Sequence, residues 1–565
     1  MGKFAAWLAA VLGGIVLAVF STTPPSPKGR ETAMTAFSAG RAMGDVRLVA
    51  SAPHPTGSVQ DGRVREYLVS RMQTLGMAVT ASSSGWVDAR GTAKYARWTG
   101  RAEQPKPLVN VIGVLPGRNR SLPAVMLMAH HDTVWGSPGA ADDTAGVAAT
   151  LEVARAIRAG GLSQRDLVVM FTDGEELGLQ GARAFFANNA LRQRIGAIIN
   201  MEARGGGGRT AMFQTSPANG AAMALFAQNV ARPSAGSLAV FLYRMLPNDT
   251  DLTPTLKGPY TSYNFAFIGR SALYHSPRAT PDRLDQGALQ DMGDQVLGLT
   301  QGLLSANSLP ARAPDVVFFD LFGLTLVIYP AWAGWIMLGL AAACLVVVVR
   351  RNGRAGLGAG AARMAGLVGL AAVLLYAFNW LSLKAGTPNY YDRLASIPRL
   401  EALAMLVAGA AVALVMASWK PAKAGIVGAA LPLLLLALIA QALAPIAAYG
   451  LVVPLALVSF GLAAAERLPV SFGLALIAAV GALVSGYMLA LAHQIMQGVG
   501  ATLPMVAAVP LAIAMLAFLP ICPQMARRTA HVAGCVLLLS AAGLALSIRF
   551  APLADTVAAY TDTKH

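Results

Sequence analysis

Apolar and polar positions follow two different rhythms along this 565-residue chain. Up to about residue 314, short apolar runs such as Ala124-Val125-Met126-Leu127-Met128, Leu167-Val168-Val169-Met170-Phe171 and residues 195–200 alternate with helical patterns such as residues 146–157 and 181–188. Near-continuous apolar runs mark strands buried on both faces. Interleaved with helices, they predict an α/β domain with a doubly wound, mostly parallel sheet. After Asp320 the rhythm changes to about eight long apolar stretches, at residues 324–349, 364–383, 400–418, 426–442, 446–465, 472–492, 503–521 and 530–548. Each is near the roughly 20 residues needed to cross a bilayer, and Pro432 and Pro445 blur the break between the fourth and fifth. An all-α, multi-span membrane domain is expected over residues 315–565. A further apolar run follows Lys3, over residues 4–20. It is long for a signal-peptide core and no small-x-small cleavage site follows, so residues 1–23 read as an uncleaved transmembrane anchor. Residues 24–314 remain for the α/β domain.

Composition agrees with this division. Only 13% of residues are charged, against about 25% in ordinary soluble domains, and mean hydropathy is +0.54. Of the 28 Asp and Glu, 23 lie between Glu31 and Asp320; Asp392, Glu401, Glu466, Asp555 and Asp562 complete the set. A net charge of +16 does not signal nucleic acid, because the basic residues are dispersed and many sit in short loops between apolar runs, where they set topology. With Lys3 inside, the inside loops hold Arg350, Arg351, Arg354, Arg363, Lys420, Lys423, Arg467, Arg527 and Arg528, and the outside segments hold Lys384, Arg393, Arg399, Arg549 and Lys564. The α/β domain then faces away from the cytoplasm: periplasmic in a bacterium, lumenal or vacuolar in a eukaryote. The three cysteines, Cys344, Cys522 and Cys535, all fall in the membrane half, which excludes a disulfide framework or a Cys metal site in the α/β domain. The late acids, with His493 and His531, lie in loops, at span ends or in the tail, which disfavours ion-coupled transport.

The chemistry is concentrated where the short runs end. In order come His130-His131-Asp132, Asp142-Asp143, Gly174-Glu175-Glu176, Asn200-Met201-Glu202 and His275. In doubly wound sheets ligands gather at the carboxyl ends of strands. Zinc accepts imidazole nitrogen and carboxylate oxygen. A two-metal hydrolytic centre needs a bridging carboxylate, further ligands for each ion, and a separate acid to take a proton from water. Here there are five candidate ligands and one spare acid.

This order and spacing resemble the di-zinc aminopeptidase family, family twenty-eight of the metallopeptidases, over roughly residues 109–304. The resemblance implies that His130 and Glu202 hold one zinc, Glu176 and His275 the other, with Asp142 bridging. It also implies that Glu175 is the general base, that Asp132 buttresses His130, and that the Asp142–Asp143 peptide is cis. Many family aminopeptidases have Asp where this chain has Glu202. Glu there is similar to the membrane branch, vacuolar membrane protease and endoplasmic-reticulum metallopeptidase, and to glutaminyl cyclases of the same fold. One N-terminal span, the peptidase domain and about eight spans match the membrane branch. By family position Tyr263 and Asn264 are pocket candidates. Asp249 and Asp251, in a polar segment, suit substrate contact or loop capping equally.

Plainer roles are expected elsewhere. His131 follows a ligand by one position and is expected to pack or sit at a rim. His54 reads as a surface or loop residue, Gly205 to Gly208 as a flexible loop, and Asp282 as a possible support for His275. The expected activity is a membrane-anchored zinc exopeptidase, an aminopeptidase, acting on peptides with two zinc ions per chain. The alternatives are glutaminyl-cyclase-like aminoacyl cyclisation and a non-enzymatic membrane receptor or scaffold.

Overall fold

The computed structural model describes residues 2–386 and 389–556; Asp562 and Lys564 lie outside the described residues. The chain divides into two units. One comprises Thr23–Ile328, Asn389–Ala395 and Leu553–His565, and the other Met1–Thr22, Tyr329–Pro388 and Ser396–Pro552. Against the boundaries expected from sequence, the first unit extends past Pro314 and takes in a short segment from the middle of the apolar half.

The first unit holds a seven-stranded sheet of β1 (Ala78–Trp86), β2 (Pro107–Leu115), β3 (Ala124–His130), β4 (Leu167–Thr172), β5 (Ile195–Ala203), β6 (Ala211–Thr215) and β7 (Thr261–Phe267), in the order β1-β2-β4-β3-β5-β7-β6. The central strands β4, β3, β5 and β7 run parallel. β1 and β2 are antiparallel additions at one edge and β6 at the other. Every residue of β3 and β4 is buried, which explains their unbroken apolar runs. Alternate residues serve opposite faces, as strand geometry requires. Val125, Leu127 and Ala129 pack with the helices Ala39–Val49, Val59–Thr74, Thr144–Ala159 and Gln286–Ser305, whereas Ala124, Met126 and Met128 pack with Phe185 and Phe186 of the helix Gln180–Asn188. The expected doubly wound architecture is therefore present.

A separate two-stranded sheet joins β8 (Val316–Leu321) to β9 (Thr325–Pro330). It corrects the expected span at residues 324–349, since the apolar residues of β9 form a strand and the helix begins only at Ala333. Phe322 and Gly323, both at positive φ, make the turn between the strands. A short apolar run fits strand and helix equally by pattern.

The second unit is helical. Among the described residues seven helices are long and apolar enough to cross a membrane: Lys3–Thr22, Ala333–Asn352, Leu357–Leu381, Ile397–Val415, Lys423–Leu443, Val470–Val499 and Arg527–Arg549. Tyr449–Ala465 and Pro504–Phe518 are shorter apolar helices, in place of two of the expected full-length spans. Small residues permit close approach, as is usual between membrane helices. Gly14 of the first helix lies against Ser485 and Gly486 of Val470–Val499.

Candidate metal centre

Four adjacent parallel strands deliver the candidate residues to one end of the sheet. His130 ends β3, Glu175 and Glu176 follow β4, Glu202 lies near the end of β5, and His275 is on the loop after β7. Asp143 caps the helix Thr144–Ala159, accepting from Gly146 N at 3.1 Å, so Asp142 sits immediately before a helix start. The Asp142–Asp143 peptide is cis.

Asp142 faces both histidines. Its Oδ1 is 3.1 Å from His130 Nε2 and its Oδ2 is 3.1 Å from His275 Nε2. Each histidine has a further acid beside it. Glu202 Oε2 is 3.8 Å from His130 Nε2, and Glu176 Oε1 is 3.0 Å from His275 Nε2. The ligating atoms of His130, Asp142 and Glu202 lie within 4.8 Å of one another, as do those of Asp142, Glu176 and His275. Glu175 lies beside them, half-buried. Among the described residues its carboxylate makes no hydrogen bond or ion pair.

Asp132 acts differently from the simple buttress expected. His130 Nδ1 meets the Asp132 backbone carbonyl at 2.9 Å, while the carboxylate is 3.6 Å away. That carboxylate instead accepts from Glu175 N at 3.0 Å and Glu176 N at 3.2 Å. It therefore holds the turn carrying both acids, which Gly174 permits with φ +70.

Charge is unbalanced here. Burial pushes the Glu175 carboxyl well above its usual range, with Glu176 and Asp251 adding to the effect despite His130. Burial raises Glu202 too, and Glu175 adds to it. Burial also presses on Asp142, but the hydrogen bond from His130 and the His275 imidazole beside it overcome that and leave this carboxyl far below the ordinary range. Burial lowers His130, and Asp132 and Asp142 more than reverse that; His275 is raised likewise by Glu176 and Asp142. Too many anionic oxygens crowd a buried space, which is the condition a cation relieves. His275 Nε2 is buried and aligned for hydrogen bonding with neither nearby carboxylate. Two imidazoles with three carboxylates form a donor set that fits zinc.

Other candidates fall elsewhere. Asp249 is exposed. Tyr263 is fully buried in the core, its hydroxyl donating to Ala222 O at 2.9 Å, so it lines no pocket. Strand alternation turns Asn264 to the opposite face, where its Oδ1 accepts from Asn200 Nδ2 at 3.0 Å. Asn200 also reaches Glu202 Oε1 at 3.3 Å, so Asn264 supports a candidate ligand. Asp251 is buried and hydrogen-bonded by Thr172 Oγ1; burial pushes it up to about 6. His54 lies on a loop but is buried, not at the surface, and burial drives it down to about 4. Gly205 to Gly207 form a packed loop, with Gly206 N and Gly207 N donating to Gly269 O at 2.9 and 3.1 Å. Asp282 is exposed and does not reach His275. The partner of His275 Nδ1 is the hydroxyl of Tyr391, at 3.0 Å, a residue that no local motif announces.

Residues 110–300 match Peptidase family M28. Endoplasmic reticulum metallopeptidase 1 of Mus musculus is 30% identical over 302 residues, covering 51% of this chain and 34% of the mouse protein. Vacuolar membrane protease of Yarrowia lipolytica is 28% identical over 332 residues, covering 57% and 33%. The matched region thus takes in about a third of these relatives' own length. Among solved structures, an aminopeptidase from Aneurinibacillus sp. strain AM-1 aligns with TM-score 0.39 and 15% identity, covering 50% of this chain and 98% of that one.

Proposed function

We propose, from the match of residues 110–300 to Peptidase family M28 and from seven helices of membrane-spanning length, that the chain is an integral membrane, zinc-dependent exopeptidase, an aminopeptidase, acting on the non-cytoplasmic side. The observation that carries this reading is the placement of Asp142, with one carboxylate oxygen 3.1 Å from each of two histidines and a further acid beside each. His130 and Glu202 would hold one zinc and Glu176 and His275 the other, with Asp142 shared. Bound there, the ions would polarise a peptide carbonyl and lower the pKa of water towards about 7. Glu175, next to the centre and committed to no partner, takes the proton of the attacking water and returns it to the leaving amine. Asp132 fixes that geometry by gripping the amides of Glu175 and Glu176.

The orientation rests on the Lys and Arg balance. It is supported by the unit assignments, since Asn389–Ala395 and residues 553–556, both allotted to the outside by that balance, group with the α/β unit. The test is zinc content of the full chain in detergent, paired with release from aminoacyl-nitroanilides with and without chelator. Two zinc ions and chelator-sensitive release are expected, and a chain that binds no zinc overturns the reading. Glu202 also leaves room for aminoacyl cyclisation. A pyroglutamyl product from an N-terminal Gln peptide, in place of a free amino acid, would assign that reaction instead.

A further inference from the structure

The two candidate zinc histidines are held from different places. His130 Nδ1 meets a carbonyl two residues along the chain. His275 Nδ1 meets Tyr391 Oη, 116 residues away, in the short helix Tyr390–Ala395. In sequence that helix joins the apolar helices Leu357–Leu381 and Ile397–Val415, yet it packs as part of the peptidase unit. Leu394 O accepts from Ser271 Oγ at 2.6 Å, and Asp392 Oδ1 accepts from Ala554 N at 2.8 Å. The Tyr391 side chain is buried, and its ring lies against His275 and Tyr274, at 5.1 and 5.8 Å between centroids. His275 itself is at φ +51, a backbone conformation that a non-glycine residue keeps only when its surroundings enforce it.

We propose that Tyr391 is the positioning residue of the second zinc site, accepting the Nδ1–H of His275 and so holding the Nε2 lone pair toward Asp142 and Glu176. The inference rests on the zinc reading given above. Its chemistry follows from the imidazole: a ring that gives Nε2 to a cation carries its proton on Nδ1, and whatever accepts that proton sets ring angle and basicity. A carboxylate or carbonyl usually does this. Here a phenol does it, supplied by the segment between two apolar helices. The peptidase unit is therefore completed by residues that follow its own sheet in the chain and lie beyond two membrane-length helices. Tyr95, Trp98 and Val134 join Tyr391 in one apolar cluster, so a purely packing role is the rival explanation.

Tyr391→Phe keeps the ring and removes only the hydroxyl. Stepwise zinc affinity would be measured by chelator competition on full-length protein in detergent, together with the visible spectrum of the cobalt-loaded form and thermal unfolding in chelator. Expected is a loss of about ten- to hundredfold in affinity for one of the two ions, an unchanged affinity for the other, an altered cobalt spectrum, and a chelated melting curve like that of the parent. Tyr390→Phe should change none of these. Two unchanged affinities in Tyr391→Phe overturn the proposal, as does a chelated protein destabilised as much as the loaded one. Failure of the unsubstituted chain to bind zinc is a different result, because it removes the metal centre itself.

Discussion

His130 and His131 are neighbours that enter two buried clusters of similar composition. His130 joins Asp142 and Glu202 in one triad and Asp142 joins Glu176 and His275 in another, while His131 joins Asp61 and Asp173; within each triad the ligand-type atoms lie within 4.8 Å of one another. Their charge balance separates them. In the second cluster His131 Nε2 donates to Val109 O at 3.1 Å and Nδ1 lies 3.1 Å from Asp61 Oδ1, while Arg65 pairs with the other Asp61 oxygen. Two basic side chains therefore face two carboxyls. Burial lowers His131, but Asp61 and Asp173 hold it up at about 9; burial together with Asp61 pushes Asp173 to about 7. This cluster neutralises itself with an arginine and a proton. The first has no arginine or lysine paired with its carboxylates among the described residues, which suits the proposed zinc ions. Grouping His with Asp does not by itself make a metal site; what distinguishes the first cluster is three acids around two imidazoles with no guanidinium paired to them among the described residues.

The contrast can be broken hardest at Asp142. Asp142→Ala removes the group shared by both halves of the centre, so the full chain should lose both zinc ions and all measurable peptide hydrolysis. Retention of one ion with activity would show that the acid is not shared. Glu175→Gln comes next. It should keep two ions while hydrolysis falls by about 10²- to 10⁴-fold, the usual contribution of a positioned base, and full activity would remove Glu175 from the mechanism. In the neutralised cluster, Arg65→Met should leave the zinc count at two but cost about 1–3 kcal/mol in unfolding free energy, because Asp61 keeps His131 and loses its arginine. A third ion in the parent chain, lost on changing Asp61 or Asp173, would refute the contrast. The smallest effect belongs to Tyr263→Phe. Losing its bond to Ala222 should cost about 1 kcal/mol with KM unchanged, whereas a raised KM would return Tyr263 to the substrate pocket.

Much of the centre was legible because most of its residues sit at or just past the end of a short apolar run, and a run of that kind becomes a buried strand whose carboxyl end faces the site. His130, Glu175, Glu176 and Glu202 follow that logic, whereas Asp142 sits just before the helix Thr144–Ala159 and His275 follows the short turn Ser271–Leu273. What was not legible depends on distance along the chain or on strand parity. Tyr263 and Asn264 are adjacent, and which of them faces Glu202 follows from register with Asn200 in β5, which no motif encodes. His54 has no local sign of burial, since Thr133, its partner across the backbone, lies 79 residues away. Tyr391 lies in a polar stretch between apolar runs, where a linker and a piece of the centre look alike.

The His275–Tyr391 bond also sets an order of events as the chain is made. Translation proceeds at about 5–20 residues per second, so the 116 residues separating the pair place Tyr391 behind His275 by about 6 to 23 seconds on the ribosome. Two membrane-length helices must emerge in that interval. The nascent α/β unit can close its sheet and bring the candidate ligands together while the hydroxyl beside His275 has still to be synthesised. The last support of the proposed zinc centre thus arrives only after two helices of membrane-spanning length have been synthesised.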